Sequence, residues 1–376
     1  MATVQKRGDS YRIRVSCGYA ANGKQIQRTK TWKPEPGMTE HQIKNELERQ
    51  KILFTNECKG LSQNANIKFE TFAEQWLKGY AEPHLKARTV DRYKQYSERV
   101  YKAIGNLRID KINSRHIQKF VDGLKNLSSK TVRGYASFIS TVFDYAIKQG
   151  MVKDNPCKNI VLPPLKQNQR ECYTLDEAQQ FIKLLGKEPI KYRTLFTLAV
   201  YSGLRKGELL GLEWKDIDFN NCVISVNRES EYSKSKGGTF TDMPKTKQSQ
   251  RALKLPVYVF DLLRQYRLYQ NKQRLEYGGK WGSDRVFTSG NGKPIGTSTP
   301  LKWLDNFFKR TGMRKVTIHS FRHLNASLLI NAGVDVKTVS TTLGHSQVST
   351  TLNIYAHTFA QAQAKASQAV ADVLSI

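Results

Sequence analysis

The chain has 376 residues, with 61 lysines and arginines against 32 acids and a formal charge of +29. That length suits roughly two or three domains, and a basic excess of this size goes with a polyanionic partner, nucleic acid before any other. No run approaches the ~18 apolar residues of a membrane-spanning helix. The start, MATVQKRGDSYRIRV, lacks the apolar centre of a signal peptide. Cys17, Cys58, Cys157, Cys172 and Cys222 are odd in number, dispersed and never paired as C-x-x-C. A disulfide framework or a zinc site is therefore not expected, and a reducing cytoplasm fits.

Residues 1–33 hold Lys6, Arg7, Arg12, Arg14, Lys24, Arg28, Lys30 and Lys33 against the single acid Asp9. Residues 7–32 read as a small sheet, in which Tyr11, Ile13 and Val15 alternate with Arg12, Arg14 and Ser16, the pattern of a strand with one apolar and one basic face. Asn22-Gly23 is a strong hairpin turn, because both residues accept positive φ. The return, 25–32, places Ile26, Arg28, Lys30 and Trp32 on one face, a weaker alternation. A helix over about 39–56, with Ile43, Leu47, Ile52 and Leu53, is expected to cover the apolar side. A cationic sheet face suits a DNA groove, so Arg12, Arg14, Arg28 and Lys30 are candidate DNA contacts. The competing reading is a solvated basic ribbon.

Residues 61–66 are polar and turn-rich, as in a linker. Four amphipathic stripes then fill 67–160: Phe69, Phe72, Trp76 and Leu77; Val90, Tyr93, Ser97, Val100 and Ile104; Ile117, Phe120, Val121 and Leu124; and Val132, Tyr135, Ile139, Val142, Phe143 and Ala146. They predict an independent helical bundle. Its outward residues include Lys86, Arg88, Arg92, Lys94, Lys130 and Arg133. Lysines are common on helix surfaces, so none of these is diagnostic alone. Asn155-Pro156 and Pro163-Pro164 break the pattern, and 165–170 reads as a second linker.

The remainder alternates between helix and strand signals. Thr174 with Glu177 forms a capping box ahead of Phe181, Leu184 and Leu185. Residues 194–200 read as a buried helix running into Gly203, and 222–227 as a strand. Residues 240–256 are expected to form a hairpin whose turn carries Lys245, Lys247 and Gln248. Helices follow over about 257–274 and 299–311. In IHSFRHLNASLLINAGVDVKTVSTTLGH, His319 and Arg322 stand three apart on a helix that stops at Gly333. A second helix runs from about Asp335 to Gly344, leaving His345 at a tight turn. Tyr355 lies ten residues further on. Upstream, Arg205 follows Ser202-Gly203-Leu204, with Glu208 one turn later. Two imidazoles, guanidinium groups and a phenol near helix ends make a set able to hold an anion and attack it. Each residue alone is as well read as a cap or as core.

The segments GLRKGELLGLEW, HSFRH, LGH and NIYAH together resemble the tyrosine recombinase (phage integrase) family, in the branch found on integrative and conjugative elements of Gram-positive bacteria and on prophages. The motifs stand in the family's order and the resemblance covers most of the chain. It implies three parts: an arm-type DNA-binding domain over 1–64, a core-binding helical domain over 65–165, and an α+β catalytic domain over 166–376 with a C-terminal tail helix. It implies site-specific cleavage and rejoining of double-stranded DNA by a tetramer through a 3′-phosphotyrosyl intermediate, with an accessory factor possible for excision. Lys86, Arg88, Arg92, Lys130 and Arg133 become candidate DNA contacts.

By the same resemblance Tyr355 is the nucleophile, Arg205 and Arg322 clamp the phosphate, and His345 adds a third donor. His319 is general acid/base, Lys245 protonates the leaving 5′-oxygen, and Glu208 orients the site. Lys247, two residues on, remains an alternative to Lys245. The arginine assignments agree with chemistry, since a guanidinium binds two phosphate oxygens and keeps its charge. A free phenol ionises near pH ~10 and needs a cationic setting to attack. No metal or other cofactor is implied. After HSFRH the family commonly shows Thr and then His or Ala; here stand Leu324 and Asn325, so packing behind the clamp is expected to differ. Two further readings are a type IB topoisomerase-like nicking and closing enzyme and a non-catalytic DNA-binding regulator. The tail, 358–374, carries Phe359, Ala362, Ala366, Ala369, Val370 and Val373 on one stripe. It either folds back on its own domain or, as the family suggests, docks on a neighbouring protomer.

Overall fold

The computed structural model describes residues 2–19, 25–58, 67–165, 172–242, 250–278, 281–344, 347–349, 352, 371–372 and 374. The chain divides into two compact units, Met1–Gln167 and Asn168–Ile376. Both expected linkers, and the tail over 358–374, lie largely or wholly outside the described residues.

The first unit opens with an antiparallel sheet of β1 (Ala2–Arg7), β2 (Ser10–Tyr19) and β3 (Gln25–Trp32), in that order. The sequence reading begins this sheet at residue 7 and misses β1, whose side chains are mostly exposed. Helix α1 (Glu40–Cys58) packs on one side, where Ile13, Val15, Phe54 and Cys58 are buried. Register separates the basic residues. Lys30 pairs with Ile13 and Arg28 with Val15, so both share the face that α1 covers, whereas Arg12 pairs with Thr31 and Arg14 with Thr29 on the other face. Lys30 Nζ donates to Gln50 Oε1 at 3.2 Å and lies 6.0 Å from the Phe54 ring centroid. The sheet thus brings Arg12 and Arg14 together, beside Thr3 and Gln5 of β1, and does not bring Arg28 and Lys30 with them.

The same unit holds the helical bundle: α2 (Phe69–Trp76), α3 (Glu82–His84), α4 (Ala87–Val100), α5 (Ser114–Asp122) and α6 (Ser129–Lys148). A wider turn, Leu77–Ala81, carries α2 into α3 without a break. Asn113 and Ser128 cap α5 and α6 through their side chains. The four predicted stripes meet in one core that includes Phe69, Trp76, Val100, Ile117, Phe138 and Phe143. Burying each such side chain contributes about 1.5–3 kcal/mol, set against the conformational entropy lost on folding. Arg88, Arg92 and Lys130 are exposed, while Lys86 and Arg133 are half-buried. Arg133 Nε donates to the Pro163 carbonyl at 3.0 Å, so part of its fork ties down the segment that follows the bundle.

The second unit is α+β. Helices α7 (Leu175–Leu185), α8 (Ile190–Ser202) and α9 (Lys206–Gly211) precede the strands β4 (Ile217–Asp218), β5 (Val223–Val226), β6 (Glu229–Ser233), β7 (Gly238–Asp242) and β8 (Arg251–Lys254). Helices α10 (Val257–Tyr277), α11 (Thr299–Thr311), α12 (Ile318–Asn331) and α13 (Val336–Leu343) follow. The Thr174 capping box is present, with Thr174 N–H donating to Glu177 Oε2 at 2.8 Å. The hairpin expected over 240–256 is corrected. Strand β7 pairs with β6, and β8 pairs with β5 in a separate three-stranded sheet, β4-β5-β8. The turn that was overlooked is Lys234–Gly237, where Gly237 and Gly238 take positive φ and let the chain reverse before residue 240.

Helix α8 is the centre of this unit. Thr194, Leu195, Phe196, Thr197, Leu198, Ala199 and Val200 are all buried, so it is apolar all round and packed on every side. Helices α7, α9, α10 and α12 all contact it. No helix among the described residues is long and apolar enough to cross a membrane.

Candidate active site

Helix α8 ends at Gly203, whose φ of +59° is the left-handed conformation that closes a helix. A Cβ there would lie 2.8 Å from Leu343 Cδ2 and 2.9 Å from Asn325 Oδ1, so both space and conformation require glycine. Leu204 is then buried in the core, and the chain turns outward at Arg205, the N-cap of α9. Glu208, one turn later, folds back to accept the Arg205 backbone N–H at 2.8 Å and its guanidinium at 2.7 Å. The Arg205 side chain keeps 35% of its surface exposed; that of Glu208 keeps 2%.

A second arginine reaches the same carboxylate from β8. Arg251 donates through Nη1 and Nη2 to the two Glu208 oxygens at 3.2 and 3.0 Å. Burial alone would push the Glu208 carboxyl up; the Arg251 hydrogen bonds and charge, helped by Arg205, more than offset this and hold it below the usual carboxylate range. Glu208 therefore keeps two guanidiniums side by side that would otherwise repel.

Helix α12 brings the third arginine. Thr317 caps it in a box with Ser320, which sets the phase of the helix. Arg322, only 2% exposed, points inward. Its Nη1 donates to the Gly203 carbonyl at 2.9 Å and its Nη2 to the Leu343 carbonyl at 2.5 Å. His319, one turn earlier, faces solvent instead and meets the buried His323 edge-on, with ring centroids 4.7 Å apart. The two motif residues thus share a helix side but differ in depth.

All three arginines converge on the end of α13. Arg251 Nε donates to Thr342 O at 2.7 Å, Arg322 to Leu343 O, and Arg205 Nη2 to Gly344 O at 2.9 Å. The last carbonyls of a helix have no partner within it and carry its negative dipole end, so three cations there are electrostatically favourable. The assembly holds Arg205, Arg251 and Arg322 in one place and fixes the chain up to Gly344, one residue before His345. His345, Tyr355, Lys245 and Lys247 lie outside the described residues.

The sequence reading did not single out Arg251. Its signal was present in RALKL, where Arg251 and Leu253 alternate with outward Ala252 and Lys254; an arginine sharing the inward side of a strand needs an acid to meet it. Asn325 was noted only as a departure, yet its Nδ2 donates to the carbonyls of Val200 and Tyr201, both at 3.0 Å. Leu324, the other departure, is buried in the core with Phe321.

Residues 171–362 match the model of the phage integrase family, and residues 69–161 match that of the phage integrase central domain. The chain belongs to the phage integrase family. It is a tyrosine recombinase, of the kind carried by mobile elements. A tyrosine recombinase XerC-like protein of Caldanaerobacter subterraneus subsp. tengcongensis is 31% identical over 98% of both chains. The ICEBs1 integrase of Bacillus subtilis is 30% identical over 71% of this chain and 72% of its own. Among solved structures, the Tn1549 transposon integrase in complex with a circular intermediate DNA superposes with a TM-score of 0.68 at 21% identity, over 80% of this recombinase and 99% of that chain. A lambda integrase dimer bound to a COC′ core site gives 0.60 at 16% identity over 93% of each. These structural likenesses bear out the helical and α+β architecture expected from the motifs.

The buried carboxylate gives this recombinase a testable weak point. Glu208→Gln is expected to destabilise the second unit by about 3–5 kcal/mol, the usual cost of breaking a buried pair from one side, read as a lower denaturation midpoint. The wild-type contribution has a defined pH range. Because the folded carboxyl lies below its unfolded value, the contribution is complete above the ordinary glutamate range. It disappears as pH falls through the folded value.

Proposed function

We propose that this recombinase integrates and excises a mobile element by cutting and rejoining double-stranded DNA, with Tyr355 as nucleophile and Arg205 and Arg322 as phosphate clamps. The observation that carries the reading is the meeting of those two arginines with Arg251 at the end of α13, immediately before His345. A phosphodiester already bears a negative charge, and attack by a second oxygen needs that charge neutralised where it grows. Arg205, the most open of the three, meets the non-bridging oxygens. His345 adds a donor, His319 moves the proton of the phenol, and Lys245 gives a proton to the departing 5′-oxygen. Glu208 and Arg251 hold Arg205 in place. The 3′-phosphotyrosyl bond conserves the energy of the bond it replaces, so rejoining needs no nucleotide.

In the same reading, residues 1–64 grip arm sites through Arg12 and Arg14, and residues 65–165 and 166–376 grip the core site, the former through Arg88, Arg92 and Lys130. Four protomers assemble on two duplexes in the bacterial cytoplasm, and an accessory factor biases excision. The exposed basic residues and the net charge of +29 support DNA as the partner. A nicked crossover-site duplex is the test substrate. A covalent protein–DNA adduct on a denaturing gel is expected, followed by strand exchange between two labelled duplexes. Adduct with relaxation but no exchange would favour a nicking and closing enzyme. Binding with no adduct would leave a regulator.

A further inference from the structure

We infer that Asn325 is a positioning residue for Arg205, acting through the C-terminal end of α8; this rests on the assignment of Arg205 as a clamp. Helix α8 closes at Gly203, and its final carbonyls have no partners within the helix. Asn325 gives both hydrogens of one amide nitrogen to two of them, Val200 O and Tyr201 O, at 3.0 Å each. Arg322, one turn earlier on α12, takes the Gly203 carbonyl. One side of α12 thereby grips three carbonyls within four residues, ending two positions before Arg205. Only an NH2 group can fill the Asn325 role in that orientation, which fixes which end of the amide faces α8.

The other end of the amide shows that the arrangement is selective. Asn325 Oδ1 is buried with no hydrogen-bond partner and lies where it would be 2.9 Å from a Cβ on residue 203. A buried acceptor without a partner is unfavourable, so the residue is held here by its donors. It also presses against Gly203, the pivot on which the chain turns toward Arg205. Removing it frees the α8 terminus to fray and lets the pivot shift. A displacement of about 1 Å at a clamp is enough to slow the reaction by about 100-fold.

The test uses the full chain and single-turnover cleavage of a nicked core-site duplex at saturating protein, with Asn325→Ala, Arg205→Ala and the double variant. Asn325→Ala is expected to cleave on the order of 10- to 100-fold more slowly while binding core-site DNA with unchanged affinity. The double variant should be no slower than Arg205→Ala, because a residue that works through Arg205 has nothing left to position. Asn325→Asp places a carboxylate against the two carbonyls and should be slower than Ala. A substrate with a neutral methylphosphonate at the scissile position offers a readout that mere loss of stability does not move. It lessens the need for a clamp, so the Asn325→Ala defect should shrink on it as the Arg205→Ala defect does. Defects that multiply in the double variant, or that persist on the methylphosphonate, overturn the inference. A cleavage rate for Arg205→Ala equal to wild type overturns the clamp assignment instead. If Asn325→Ala fails to fold, Asn325→Gln, which keeps the donor on a longer arm, takes its place in the same comparison.

Discussion

Replacing Tyr355 with Phe is expected to abolish the covalent protein–DNA adduct while core-site affinity stays within a few-fold of wild type. The substitution removes one oxygen and leaves the ring, so packing and phosphate contacts are kept. The loss should be complete, because no water or neighbouring hydroxyl regenerates a 3′-phosphotyrosyl bond. The check is a denaturing gel of each protein with nicked core-site DNA, run beside a mobility-shift titration. Adduct formed by the Phe variant would assign the nucleophile to another residue. Tyr355 follows α13 in sequence, and the chain that leads to it leaves Gly344 from a turn held by Arg205 and Arg251.

The second large effect is expected at the two arginines proposed as clamps. Arg205→Ala should slow cleavage by about 10²–10³-fold, the usual cost of losing one preorganised donor to a transition-state oxygen. Arg205→Lys should recover only part, because a single ammonium lacks the fork. The structure distinguishes the two arginines. Arg205 is one-third exposed, and Glu208 retains Arg251 when Arg205 is removed, so its Ala variant should fold and lose less stability than the Arg322 variant, with the single Gly344 carbonyl left without its donor. Arg322 is buried and bonded to two backbone carbonyls. Its Ala variant strands both acceptors at about 1–3 kcal/mol each and should lower the melting temperature as well as the rate. Thermal melts beside single-turnover rates separate the two. An Arg322→Ala protein that melts like wild type yet cleaves slowly would show that Arg322 is not needed to hold the turn. A near-wild-type rate would remove that arginine from the chemistry.

Strong local patterns made most of the elements legible. The stripes of the bundle, the capping box at Thr174, and the glycines at 203, 333 and 344 are signals within a few residues, and the structure realises each of them. The motif residues Arg205, Glu208, Arg322 and His345 were legible as a set through the family resemblance of the segments that carry them, since each alone reads as well as a cap or as core. What the sequence by itself determined is therefore the family, most of the helices and where they stop.

Only the tertiary structure decided how those side chains are held. Strand β8 pairs with β5 rather than with β7, and this long-range choice carries Arg251 to Glu208, 43 residues away in sequence. No local pattern encodes such a pairing, since the partner of a strand is chosen by contacts distant in sequence. The register of β3 against β2 turned Lys30 toward Gln50 and left Arg12 and Arg14 on the opposite side, because a one-residue step reverses every side chain of a strand. The end of α13 is the third case. Its carbonyls look unsatisfied in any one-dimensional reading, and three arginines lying 139, 91 and 21 residues away from their partners in sequence satisfy them. Buried polar groups must find partners wherever folding brings them, and distance along the chain does not say where that will be.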